Sequence, residues 1–188
     1  MDKKKIIFIG FCLVVMAQLY VPAKMILDRD DILVSGTPYK FKAAPIDPSD
    51  PFRGKYIVLN FEETTVPVPE GSEWTYNSVV YLTLTKDSSG YASILTVHQE
   101  EPNGINNYIQ AKALYYKTSD NTLSIEYPFN RYYMEESKAQ DAEDLYRNFS
   151  ADSTQVTYAL VYVKNGETVL KDVMVNDKSI KDLVKESK

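Results

Sequence analysis

The chain of 188 residues lacks most of what catalytic and metal-binding proteins are built from. It has a single histidine, His98, and a single cysteine, Cys12. A metal site made of several imidazoles or thiolates is therefore excluded, and so is a cysteine nucleophile beyond Cys12. Cys12 sits inside an apolar run, so the rest of the chain cannot form an internal disulfide. A domain of about 160 residues buries enough apolar surface to fold without one. The seven glycines are isolated from one another, which leaves no phosphate-cradling loop and no nucleophile elbow. A basic excess is missing too. Four of the 21 basic residues but only one of the 26 acidic residues precede Asp28, leaving 17 against 25 beyond it, a net of −8. Such a surface repels phosphates, which excludes nucleic acid as a partner and electrostatic docking to anionic lipid.

The remaining acids and the histidine read as ordinary surface. His98 ends a strand pattern beside Gln99, Glu100 and Glu101, an exposed position rather than the centre of a triad. Glu62-Glu63, Glu100-Glu101 and Glu135-Glu136 are sequence neighbours, which point to opposite faces of a strand and cannot share a substrate, so they are expected to be solvated. No cofactor is implied by any of these residues.

What the sequence does have is one long apolar segment. Between Ile6 and Leu27 only Gln18 and Lys24 are strongly polar. As a helix this stretch would be about 33 Å long, enough for a hydrocarbon core about 30 Å thick. Lys3, Lys4 and Lys5 precede it, and a basic flank stays in the cytoplasm. The expectation is a single-pass cell-membrane protein with its N-terminus cytoplasmic, residues 1–27 forming the anchor and 28–188 an extracytoplasmic domain. Val21-Pro22-Ala23 also suits signal-peptide cleavage, but the apolar run exceeds an ordinary signal core and continues through Met25-Ile26-Leu27, which favours retention.

Past a short polar juncture at Asp28 to Asp31 the pattern becomes that of strands. Alternation places Tyr39, Phe41 and Ala43 on one face, and Ile57, Leu59 and Phe61 share another between Lys55 and Glu62. Pro67 and Pro69 are expected to break any ladder between Val66 and Gly71. Ser78 to Thr85 with Tyr91 to His98, and Asn107 to Tyr116 with Thr122 to Tyr127, read as hairpins, with Ile109, Ala111, Ala113 and Tyr115 on one side of their strand. Gln155 to Lys164 and Glu167 to Val175 flank Asn165-Gly166, a strong hairpin signal. Only Glu135 to Phe149 has helical spacing, through Ala139, Ala142, Leu145, Tyr146 and Phe149. The charged tail from Lys178 suits a short last helix. About eight strands and one amphipathic helix predict a mainly β protein, an antiparallel β-barrel or sandwich with the helix over one opening, plus the N-terminal transmembrane helix.

The most distinctive segment runs from Pro45 to Phe61. Pro45, Pro48 and Pro51 stiffen a turn, Asp47 and Asp50 can accept its N–H groups, Arg53 can pair with either acid, and Gly54 permits a positive φ before the strand. Asp47 and Asp50 alone are too few to hold Ca²⁺. The residues Gly54-Lys55-Tyr56-Ile57-Val58-Leu59-Asn60-Phe61 resemble the motif Gly-Asp-Tyr-x-x-Leu-x-Tyr of the GDYXXLXY family of bacterial membrane-anchored proteins. Lys55 stands where the motif has Asp, and Phe61 where it has Tyr. The lead-in Pro45-x-Asp47-Pro48-x-Asp50-x-Phe52-Arg53 is similar as well, as is Arg131-Tyr132-Tyr133-Met134-Glu135-Glu136 before the helix. The resemblance implies no assigned activity, and it implies a polytopic membrane protein as partner. Its motif corner makes Asp47, Asp50, Arg53, Gly54, Tyr56 and Arg131 the candidate binding residues.

Two functions follow as expectations. The first is a non-enzymatic binding or assembly module acting with another integral membrane protein. The alternative rests on Arg53-Gly54 opening a strand, which resembles the Arg-Gly-Asp strand of type I signal peptidases and implies a membrane-tethered Ser-Lys hydrolase with Ser35 as nucleophile. Ser35 is followed by Gly36 rather than Met, a pair that suits a turn before a strand.

Overall fold

A computed structural model describes residues 3–44, 56–152 and 154–186. Its first element is a single helix, α1, Lys3–Ser35. The large apolar side chains from Ile7 to Leu27 stand exposed along it, and it is long and apolar enough to cross a membrane. At 1.5 Å per residue its 33 residues measure about 50 Å, some 20 Å more than a hydrocarbon core needs. The expected juncture at Asp28 to Asp31 is absent, because the helix passes through those residues unbroken. They are its polar continuation, with Lys24 bridged to Asp28 one turn away at 2.8 Å.

Eleven strands and two further helices follow among the described residues. The strands are β1 (Thr37–Lys42), β2 (Tyr56–Val58), β3 (Thr65–Pro67), β4 (Val79–Lys86), β5 (Ala92–His98), β6 (Tyr108–Lys117), β7 (Thr122–Glu126), β8 (Arg131–Tyr133), β9 (Thr157–Lys164), β10 (Glu167–Val175) and β11 (Lys178–Ser179). Helix α2 (Glu136–Ala151) lies between β8 and β9, and α3 (Ile180–Glu186) follows β11. All strand pairs within the sheets are antiparallel. Their orders are β1-β9-β10-β11, β3-β7-β6-β4-β5 and the short pair β2-β8. Bridges Ala43 to Phe61 and Ile109 to Gly166 tie the pieces into a nearly closed, barrel-like sheet.

The expected hairpins are present, and their turns have the predicted chemistry. Asn165 and Gly166 both take positive φ, 49° and 82°, as a two-residue hairpin requires. Gly166 has a second reason to be glycine, since a Cβ there would come within 2.6 Å of the Tyr108 ring. Three local expectations fail for physical reasons. Thr65–Pro67 does pair with β7, because β3 is an edge strand on which the missing proline N–H costs nothing in the ladder. Lys55 lies outside the described residues, and from Tyr56 to Glu62 the expected strand is confined to Tyr56–Val58, after which the chain turns onto other partners: Leu59 N–H bonds the Asn130 carbonyl, and the Asn60 carbonyl receives Ala44 N–H. Tyr115 is exposed rather than aligned with Ala113, because a bulge between them shifts the register and flips the faces beyond it.

The core is aromatic at one end. Phe41, Phe61, Tyr127 and Phe129 cluster with ring centroids 4.8 to 6.0 Å apart. Ile57 and Leu59 extend it beneath α2, whose Ala142 and Tyr146 are fully buried. Ile180 and Val184 of α3 close the adjoining side.

Candidate functional site

The pair β2-β8 joins the two segments singled out in the sequence. Its register sets Tyr56 against Tyr133, Ile57 against Tyr132 and Val58 against Arg131. Alternation then divides the ribbon into two faces. The inner face carries Ile57 and Tyr132, both buried. The outer face carries Tyr56, Arg131 and Tyr133. There the Arg131 guanidinium carbon lies 5.1 Å from the Tyr56 ring centroid, and the Tyr56 and Tyr133 rings are 5.3 Å apart. Tyr133 remains 64% exposed, so this small aromatic and cationic face is open to solvent. Of the six candidate residues, Tyr56 and Arg131 are thus brought together. Asp47, Asp50, Arg53 and Gly54 lie outside the described residues.

The inner face fixes the ribbon in place. The Tyr132 hydroxyl donates to Asp172 Oδ1 at 2.6 Å, and Asp172 also accepts Val173 N–H at 2.8 Å. Burial, reinforced by the hydrogen bond to Asp172, holds the Tyr132 phenol well above its ordinary pKa. Lys181 of α3 caps the same ring, its ammonium 5.2 Å from the centroid. Rigid support below and open side chains above suit recognition rather than bond making.

Beside the ribbon lies a cleft of about 500 Å³ bounded by Val58, Asn60, Leu114, Glu126 and Asn130. Asn130 donates to Glu126 at 2.9 Å, and this pair also borders a neighbouring cleft of about 360 Å³ over Val79 and Lys112. Leu114 faces the first cleft because it is the bulged residue of β6. Close to the motif strand, Tyr146 is fully buried, and its hydroxyl meets no hydrogen-bond partner in good geometry among the described residues. Burial raises its pKa. The candidate residues read from the sequence do not include Tyr133, Asn60, Glu126 and Asn130, although Tyr133 lies two residues from Arg131 and Asn60 lies within the motif segment.

The other candidates resolve as follows. His98 Nε2 lies 3.0 Å from Thr83 Oγ1 across the β4-β5 pair and meets no acid-serine constellation among the described residues. Glu63 is not a solvated acid: it accepts Ser93 Oγ at 3.2 Å and Ile94 N–H at 3.1 Å, while its carbonyl receives the Tyr127 hydroxyl at 2.5 Å. Glu101 accepts a short hydrogen bond from Tyr108, which pushes the Tyr108 phenol up to about 12. Among the described residues no group of three or more His, Cys, Asp or Glu side chains is placed to hold a metal ion.

Ser35 does meet a lysine, one that no motif in the sequence marks. Lys164 Nζ lies 2.8 Å from Ser35 Oγ and is ion-paired with Asp31. The direction of the hydrogen bonds is wrong for nucleophile activation, which needs the amine to accept the serine proton. Here the ammonium donates to Ser35 Oγ, and Ser35 Oγ donates to the Asp31 carbonyl at 2.7 Å. The Asp31 carboxyl is held below its ordinary pKa by the hydrogen bond from Lys164. With Arg29 donating to the Thr168 carbonyl at 2.7 Å and Ile32 only 4% exposed, these contacts latch α1 to the β9-β10 hairpin.

Fold and site together define a small antiparallel β protein carried on one long apolar N-terminal helix, with a motif ribbon that presents Tyr56, Arg131 and Tyr133. The family model described as GDYXXLXY protein matches residues 18–173, most of the chain, and the chain belongs to that family. No curated protein and no solved structure matches it.

Proposed function

We propose that the protein is a membrane-anchored extracytoplasmic binding or assembly module that works with another integral membrane protein. In this reading α1 crosses the bilayer with Lys3, Lys4 and Lys5 on the cytoplasmic side, and the β domain stands on the opposite side. The observation that carries it is the outer face of β2-β8. Arg131 and two tyrosines, one of them largely exposed, form an open platform on a rigid base. Tyr and Arg are the residues that concentrate binding energy at protein interfaces, because each offers a wide contact area and a polar end. Asp47, Asp50, Arg53 and Gly54, shortly before Tyr56 in the chain, are proposed as binding residues together with it.

The test is recovery of a partner from detergent-solubilised membranes with the intact protein as bait. Wild type is expected to retain an integral membrane protein that Arg131→Ala with Tyr133→Ala releases. Equal recovery by both, or by neither, ends the proposal.

The contact between Ser35 and Lys164 favours a second reading, the membrane-tethered Ser-Lys hydrolase. The hydrogen-bond directions and the Asp31 ion pair weigh against it, and the same three residues are fully accounted for as a latch between helix and sheet.

A further inference from the structure

Two polar features of α1 coincide, a proline one turn past Gln18 and the side chain of Gln18 itself. Pro22 has no N–H, so the carbonyl of Gln18, four residues earlier, loses its helical donor. The carboxamide of Gln18 itself is exposed and makes no hydrogen bond among the described residues. Gln18 lies within two residues of the middle of the apolar run from Ile6 to Leu27, so in a spanning helix it sits about 2–3 Å from the bilayer midplane. Water does not reach that depth, and an unpaired amide in hydrocarbon costs several kcal/mol. Lys24, the other polar residue of the run, has Asp28 at 2.8 Å and a long stem that reaches toward the interface. Gln18 has neither.

The orientation of α1 selects what satisfies it. Ile32 follows Gln18 by 14 residues, close to the four turns that take about 14.4, so the two point to the same side of the axis. Ile32 is buried against the domain, Arg29 on the same side bonds Thr168, and Val34, on the opposite side, is 86% exposed. The domain therefore overhangs the Gln18 face. Two parallel copies joined through this face would bring both domains onto one axis, where they collide. A helix that stops at the membrane surface fits beneath the overhang.

We infer that the Gln18 face of α1 binds a transmembrane helix of a different integral membrane protein, one carrying a hydrogen-bonding side chain near the bilayer midplane. Val14, Val21 and Met25 flank Gln18 on that face and supply its apolar packing. The inference rests on the membrane-module reading above and assigns the part of the partner that α1 touches.

The test is photo-crosslinking of the full chain in native membranes, with benzoylphenylalanine placed at Val14 or Val21 on the Gln18 side, or at Met16 or Leu27 on the opposite side. An adduct with a second integral membrane protein is expected from the first pair and not the second. Gln18→Leu should lower the Val21 adduct about 3- to 10-fold, the worth of one interhelical hydrogen bond, while Gln18→Asn keeps most of it. Equal adducts from both sides, a yield unchanged by Gln18→Leu, or an adduct at twice the 21.4 kDa of this chain each overturn the inference. Benzoylphenylalanine at Tyr133 separates the two ideas. An adduct from Tyr133 with none from Val14 or Val21 rejects the helix contact and leaves the domain reading intact, whereas no adduct from any position rejects both.

Discussion

Arg131 and Tyr56 are far apart in the chain, yet the guanidinium carbon of one lies 5.1 Å over the ring of the other. An exposed cation–π pair of this kind contributes about 0.5–1 kcal/mol. Arg131→Ala should therefore lower the stability of the full-length protein by no more than that in chemical denaturation. A loss above about 3 kcal/mol would make the pair a structural support and remove the argument that its exposure is for a partner.

The inner face of the same ribbon should behave in the opposite way. Tyr132→Phe removes the hydrogen bond to the Asp172 carboxylate from a site that is 4% exposed. Bonds to charged acceptors are worth about 1.5–3 kcal/mol, and a shift of that size in the unfolding free energy is expected. Binding in the membrane pull-down should survive wherever the variant is folded.

Much of this arrangement is legible in the sequence, and what is not has a common cause. The long alternating strands and the Asn165-Gly166 turn declare themselves locally, through period and through a residue that tolerates positive φ. Arg131–Tyr133 is three residues long, too short for a period, and becomes a strand only because Tyr56–Val58 arrives from elsewhere to pair with it. The bulge at Leu114 is set by the two flanking registers and not by any residue that marks a break. Asp28 to Asp31 read as a boundary because polarity ends the apolar run. A helix can turn polar without ending, as α1 does through these residues. Tyr56 and Arg131 were found by motif, whereas the meeting of Ser35 with Lys164 depends on where α1 lands on the hairpin.

Alkaline pH should unfold the protein progressively. Tyr132, Tyr127 and Tyr146 are held above their ordinary pKa mainly by burial, and Tyr108 is pushed up to about 12 by Glu101. In the unfolded chain these phenols release protons near pH 10, so above that pH the unfolded state holds fewer protons than the folded one. Stability is then full below about pH 10 and falls as pH rises through 12 and beyond. Absorbance of phenolate among the 15 tyrosines should show a group that titrates only with the loss of near-ultraviolet circular dichroism. Complete titration near pH 10 in the folded protein would contradict the burial of these phenols.

The latch between α1 and the hairpin should weaken in acid. The Asp31 carboxyl titrates below its ordinary value of 3.8, so its contribution is present above that pH and is lost as pH falls through the lowered value. Asp31→Asn should reproduce this at neutral pH, and Gly36→Ala should go further, since a Cβ there would clash with the Ile32 carbonyl. Faster amide exchange across residues 32–36, with the β9-β10 ladder unchanged, is the expected result. Exchange unaltered in both variants would show that the helix end is held by something else.

Serine-directed probes give the last check. Because Lys164 donates to Ser35 instead of accepting from it, a fluorophosphonate should not label the protein, and Ser35→Ala should leave its background unchanged. Labelling lost in Ser35→Ala would restore the hydrolase reading.

That α1 enters the β domain without a linker sets how the molecule can meet its surroundings. A globule on a slack leash sweeps out a hemisphere and gives up that freedom when it is caught. In the proposed membrane reading, a domain joined directly to a spanning helix keeps a set height and bearing, so neighbours on the correct side engage it and forfeit little rotational entropy. Rotating that helix by a single inserted residue, about 100°, would aim the whole domain elsewhere while leaving its every internal contact untouched.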